Sequence, residues 1–338
     1  NLAPPPAGDP SSPRRTEERP AGANSYALNT SLGAPRAFNR AVLSLESRDL
    51  LREIVSRFRF DEDALLVAQR GATTILMEEV EIFGARAGRR EEIRADLAQK
   101  EIDARAQQTL FKADDFQVID IRALHLALIE QLGREAARRG IDHVFDTDQK
   151  LRAGLHKILA LRPQQLRRAI SETVARHTVA ERADVIPAEI VSPTQLQPAR
   201  FNLYGVFPDD LNGWERPFAE YLDDDLTGTV LWWHRNPLRK PFSVSVPLPG
   251  QPDFYPDFIV GVRDRARGDG VLLVETKRMI NDQERNALVK AQASHPDYGP
   301  VMMLYWEDRR EWRVVEYDAR TDRNFLDRAL RPELLATY

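Results

Sequence analysis

Two apolar stretches carry chemistry at their ends. The first is Tyr255-Pro256-Asp257-Phe258-Ile259-Val260-Gly261, the second Val271-Leu272-Leu273-Val274-Glu275-Thr276-Lys277. Both read as strands. Positions i and i+2 of a strand share a face, so Glu275 and Lys277 point the same way. The polar segment from Arg263 to Gly270 is a natural hairpin connection, and antiparallel pairing across it brings Asp257 close to Glu275. Two carboxylates and an ammonium around one point are what metal-assisted phosphodiester hydrolysis requires. A hard divalent cation held through oxygen activates water and stabilises charge on the phosphate. Each group also has a plainer reading: Asp257 as a turn cap, Glu275 and Lys277 as a solvated strand edge.

The elements around these stretches must position them. Trp214, Phe218, Tyr221 and Leu222 fall on one face of an amphipathic helix. Strands are expected over Thr229 to His234, Phe242 to Val246, Asp257 to Val262 and Val271 to Glu275. Asp282 can cap a helix through Leu288 and Val289, and Val301 to Trp306 and Trp312 to Tyr317 complete the sheet. Trp232 and Trp233 alternate faces, one for the core and one to stack or cover the helix.

Pro256-Asp257 and Glu275-Thr276-Lys277 resemble the two signature pieces of the PD-(D/E)xK nuclease superfamily. Upstream, Trp214-Glu215-Arg216-Pro217-Phe218-Ala219-Glu220-Tyr221-Leu222-Asp223 and Trp232-Trp233-His234-Arg235-Asn236-Pro237 follow in an order similar to the C-terminal endonuclease domain of type III restriction enzyme Res subunits and related helicase-nucleases. The resemblance covers about residues 200–318. It implies that Asp257 and Glu275 coordinate Mg²⁺, with Mn²⁺ as a substitute, and that the Thr276 carbonyl and water complete the shell. Lys277 then orients or polarises the attacking water. Glu215 matches the helix glutamate, with Glu220 as the competing choice. Arg235, Asn236, Arg239 and Lys240 are expected to contact the phosphate backbone or brace the site. Lys290 and Gln292 stand where relatives place polar, DNA-facing residues.

The implied fold class is α+β: an N-terminal helical domain, then a restriction-endonuclease-like mixed β-sheet. Residues 1–34, rich in Pro, Ala, Gly, Ser and Arg, read as a flexible tail or linker. Residues 35–186 read as a helical accessory domain, with stripes at Phe38, Val42 and Leu45, at Leu50, Leu51, Ile54, Val55 and Phe58, and at Ile121, Leu124, Leu128, Ile129 and Leu132. Gly140 is placed to end that last helix and Pro163 to open another through Leu166, Ile170 and Val174. Arg86 to Gln108 is so charged that a solvated helix or long arm is expected. Residues 187–200 read as a linker and 201–338 as the nuclease domain.

Composition bounds the partners. With 338 residues and a net charge of −4, no global basic field announces a nucleic-acid binder. A DNA-cutting chain of this charge needs a local basic rim or other domains to hold its substrate. The chain has no cysteine, which removes disulfides and cysteine-ligated zinc and fits a cytoplasmic setting. The six histidines show no paired metal-ligand spacing and read as structural or surface residues. No apolar run reaches the ~20 residues of a membrane span, so no membrane partner is expected. Asp61-Glu62-Asp63-Ala64 superficially matches a helicase box, but no apolar strand precedes it and the chain has no GxxxxGK[ST] loop. Asp223-Asp224-Asp225 lacks the ligand pattern of a calcium loop and reads as a helix end. Because the chain begins at Asn1, a trimmed fragment is expected, with a helicase motor either N-terminal to it or on another chain. The reading is therefore a Mg²⁺-dependent DNA endonuclease module of a restriction or phage-defence system. Its rivals are a catalytically silent DNA-binding or assembly module of the same fold, and a scaffold whose helical half carries the function.

Overall fold

The computed structural model describes residues 23–69, 74–76, 92–94, 99–114, 120–248, 251–264, 268–277, 290–318 and 323–338. The chain is α+β. Helices dominate from Ser47 to His177, and a six-stranded mixed sheet dominates from Val230 onward. The helix expected after Asp282, the first 22 residues, and residues 86–91 and 95–98 of the charged stretch lie outside the described residues.

The helical part forms where apolar residues recur every three to four positions. Ser47–Arg57, Gln99–Asp114, Ile121–Arg138, Asp148–Leu161 and Pro163–His177 turn these stripes inward, around Leu50, Ile54, Leu124, Leu128, Leu132, Leu155, Ile158 and Leu166. Ends are set chemically. The Asp120 carboxylate accepts from the backbone N–H groups of Arg122 and Ala123, and Thr147 Oγ1 accepts from Lys150 N. Gly140, at φ +68°, follows the end of Ile121–Arg138, and Pro163 stands at the start of its helix. The expected solvated arm is corrected in part: within Gln99–Asp114, Ile102, Ala106 and Leu110 lie four apart and are buried.

Three further expectations are overturned. The stripe of Phe38 and Val42 belongs to a strand, Ala37–Leu43, paired antiparallel with Thr178–Val185. A spacing of four puts two residues on one face of either element, so period alone does not decide between them. The helices are thus inserted between two paired strands and do not simply precede the sheet. Residues 187–200 are not a plain linker, because Glu189–Ser192 pairs with Asn24–Ala27, inside the segment expected to be a tail. Tyr26 reinforces this pairing by accepting a hydrogen bond from Leu196 N at 2.7 Å. Residues 242–245 are not a strand either. Strand structure there is confined to Val246–Leu248, paired with Gln251–Phe254.

The sheet runs in the order Arg323–Ala329, Glu311–Asp318, Met302–Glu307, Gly268–Lys277, Phe258–Asp264, Val230–Arg235. All neighbours are antiparallel except Gly268–Lys277 with Met302–Glu307, which are parallel. Arg323–Ala329 extends the sheet beyond the expected last strand. One face is covered by helix Glu215–Asp223, whose Phe218, Ala219 and Leu222 pack with Trp233, Phe258, Val260 and Val274. The other face carries Trp232, Ile259 and Leu273 against Phe38, Ile186, Leu203 and Tyr204. Both tryptophans are therefore core residues, one on each face.

Gly261 explains how Trp232 is accommodated. The two are cross-strand partners, and a Cβ on Gly261 would stand 2.2 Å from the Trp232 ring. Gly261→Ala is expected to cost about 3 kcal/mol, the upper end of ordinary overpacking. Denaturant midpoints of the two proteins check this; an unchanged midpoint would show that the indole moves at no cost.

Candidate active site

The residues singled out from the sequence lie at one end of the sheet. In the hairpin register Phe258 pairs with Val274, so Asp257 and Glu275 occupy the next position outward on adjacent strands. Phe258 pairs on its other side with Arg235, which brings the end of Val230–Arg235 to the same edge. Glu215, first residue of its helix, reaches this edge through an ion pair with Arg235 at 3.1 Å.

Asp257 is held by its neighbour across the ladder. One of its oxygens accepts from the Thr276 backbone N–H at 2.8 Å and from the Thr276 hydroxyl at 2.7 Å. Burial and the nearby Glu275 charge raise its pKa from 3.8 to about 7; the Thr276 bonds oppose the rise and the Glu215 charge adds to it. The peptide carrying Asp257 is clamped from below. The buried Asn236 side chain donates to the carbonyls of Val244 and Pro256, both at 2.8 Å, and accepts from Val244 N. Asn236 N donates to Asp257 O at 2.9 Å.

Glu275 and Lys277 do share a face, and they touch: Lys277 Nζ lies 3.0 Å from Glu275 Oε1, with both side chains buried. Lys290 Nζ reaches the same oxygen at 2.8 Å while lying over the Phe254 ring. One carboxylate oxygen thus receives two ammonium groups. Glu215 is 3 % exposed, and its two oxygens accept from Arg235 and Asn212. Burial raises its pKa, with the Arg235 charge working against the rise.

Of the two roles expected for Arg235 and Asn236, phosphate contact or bracing the site, both side chains take the second. Asn236 is buried and braces the Pro256-Asp257 backbone. Arg235 is spent on Glu215 and on its own strand end, where Nη1 donates to Asn236 O at 2.7 Å. Lys290 is part of the carboxylate cluster and does not lie on an outer rim. Arg239 and Lys240 are exposed on the turn after the tryptophan strand, Arg239 at φ +55°. Gln292 is exposed as well. Glu220, the competing helix glutamate, forms an exposed ion pair with Arg216 and takes no part. The aspartate run does end its helix. Asp223 accepts from the N–H groups of Arg200 and Phe201 and from the Trp233 indole, tying the preceding loop to the core.

The donor set fits a divalent cation. Two adjacent carboxylates offer hard oxygens. A magnesium ion bound through one or two carboxylates ordinarily retains several waters, and these two suffice on that pattern. Among the described residues, no group of three or more His, Cys, Asp and Glu side chains is arranged to hold a metal ion. Water and the Thr276 carbonyl would have to supply the remaining oxygens. No helix of the described residues is long and apolar enough to cross a membrane.

His234, read from the sequence as structural or surface like the other histidines, is a buried structural residue. It is 6 % exposed, its Nε2 has no hydrogen-bond partner among the described residues, and burial lowers its pKa from 6.5 to about 4. The fold accepts only the neutral ring. Its stabilising effect is therefore complete above pH 6.5 and is lost as pH falls towards 4, by about 3 kcal/mol. Replacing it with Phe, which fits among Phe38 and Tyr204, is expected to remove that slope from urea titrations at pH 7 and pH 4. An unchanged pH dependence would sink this assignment.

Comparison of the chain with models of known families, with curated proteins and with solved structures finds no match. The functional reading therefore rests on the residues and their geometry.

Proposed function

We propose that the chain is a metal-dependent DNA endonuclease of the PD-(D/E)xK type, hydrolysing phosphodiester bonds as part of a restriction or phage-defence system. The observation that carries this reading is the placement of Asp257 and Glu275 side by side at a sheet end, with Lys277 on Glu275 from the same strand face. The signature pieces resemble that superfamily, and the strands carrying them meet in the register that the chemistry needs.

Mg²⁺, when bound by Asp257 and Glu275, supplies Lewis acidity at the scissile phosphate and lowers the pKa of a bound water. The protein's own groups do the rest. Thr276 fixes one Asp257 oxygen and leaves the other as a ligand. Lys277, buried beside the carboxylates, offsets charge on the phosphate and orients the attacking water. An ammonium at neutral pH is a poor base, so its contribution is electrostatic. Arg235 holds Glu215 at the helix start, where Glu215 supports the cluster through its charge or through water. Arg239 and Lys240 are the exposed cations nearest the chain turn and are assigned to the DNA backbone. A helicase motor, in cis or in trans, would deliver the DNA.

The double ammonium contact on Glu275 favours a second reading, a module silent until a partner or metal releases that oxygen. Asp257→Ala separates the two. Under the nuclease reading it abolishes Mg²⁺-dependent cleavage of DNA and leaves association with DNA or partners intact. Under the silent-module reading it changes no hydrolytic activity.

A further inference from the structure

The helical half contains a histidine pair that the sequence does not announce. His125, on Ile121–Arg138, and His156, on Asp148–Leu161, stack with ring centroids 5.2 Å apart, and their Nε2 atoms stand 3.2 Å from each other. The other nitrogen of His156, Nδ1, is 2.7 Å from an Asp103 carboxylate oxygen on Gln99–Asp114. A carboxylate only accepts, so Nδ1 of His156 carries a proton, and in the neutral ring its Nε2 presents a lone pair towards His125. This is the carboxylate–histidine arrangement that orients imidazoles on metal ions.

We propose that His125 and His156 bind a transition-metal ion of the zinc class, with Asp103 as the orienting carboxylate and solvent filling the remaining positions. The spacing supports it. Metal–nitrogen bonds of about 2.0–2.1 Å at a tetrahedral angle place two ligand nitrogens about 3.3 Å apart, and the two Nε2 atoms stand at 3.2 Å. Both histidines are half-buried, which leaves a path for solvent, and Asp103 is 41 % exposed on its side chain. Binding requires His125 to carry its proton on Nδ1, so that both Nε2 lone pairs face one point; no net proton is released. Imidazole nitrogen prefers zinc, copper and nickel over magnesium. The site is thus chemically distinct from the carboxylate cluster, and the proposal does not depend on the nuclease reading. An ion here would join three helices at one point.

The test is a Zn²⁺ titration by calorimetry, and a Co²⁺ titration read by visible absorption, on the metal-stripped full chain carrying Asp257→Asn and with saturating Mg²⁺ present. Both conditions silence the carboxylate cluster. One saturable equivalent is expected, with thermal stabilisation. His125→Gln or His156→Gln should weaken it about 100-fold, and Asp103→Asn about 10-fold. Circular dichroism checks that each variant is folded. Lack of saturable binding at 100-fold excess metal would overturn the proposal. So would affinity unchanged in the folded His125→Gln/His156→Gln double variant, and in that case the contact is a shared proton only.

Discussion

Asp257→Asn is expected to make the metal-free protein more stable at pH 8, by about 2–4 kcal/mol, while removing its cleavage activity. The carboxyl has a folded-state pKa of about 7 against 3.8 for the ordinary side chain. A raised carboxyl pKa means that the fold prefers the protonated form. Stability from this group is complete below about pH 4, declines as pH rises through 7, and is lost above it. The three-unit difference corresponds to about 4 kcal/mol. An asparagine keeps an oxygen for the two Thr276 donors and turns an amide towards Glu275, so the strain of two adjacent carboxylates disappears. Urea denaturation of both proteins at pH 4.5 and pH 8 reads the effect: the gain should appear at pH 8 and shrink at pH 4.5. If Asp257 were only a cap for Thr276, the variant would lose about 1 kcal/mol at both values. His234 slopes in the opposite direction over the same range, so the raw wild-type profile will be flatter than either group alone.

Lys277→Met should lower the rate of DNA cleavage by about 10²–10³-fold, the scale of removing one preorganised charge from a phosphoryl or acyl transfer site. Methionine retains most of the buried stem and deletes the ammonium, so packing loss is kept small. Glu275 keeps Lys290 at 2.8 Å, and its charge is not orphaned. The loss should fall on kcat, with KM for DNA little changed, because Lys277 is buried in the cluster and not spread along a groove. A matching rise in KM with kcat intact would make it a binding residue. Cleavage at the wild-type rate would remove Lys277 from the chemistry.

The part of this site that was legible in the sequence is the part written locally. Glu275 and Lys277 share a face because strands have period two. Asp257 meets Glu275 because a single hairpin joins them, and the helix of Phe218 and Leu222 follows from its own periodicity. What escaped depends on partners far along the chain. Asn236 and Lys240 stand four apart in one turn, yet Asn236 is buried under Pro256 and Lys240 is exposed, which no local pattern distinguishes. Lys290 reads as a rim residue until the parallel strand Met302–Glu307 brings the chain back beside Glu275. Ala37–Leu43 hid inside a helical pattern because its partner, Thr178–Val185, lies beyond the whole set of helices. Arg323–Ala329 is polar at an edge and gives little apolar signal. His125 and His156 are on different helices, so no spacing rule joins them.

The central claim, that this cluster is a metal-dependent phosphodiesterase centre, is tested most directly by incubating the wild-type chain with plasmid and linear DNA in Mg²⁺, Mn²⁺ or EDTA. Cleavage in either metal and none in EDTA is the expected result. A folded protein that cuts neither substrate in any metal would contradict the account, as would cutting that persists in EDTA.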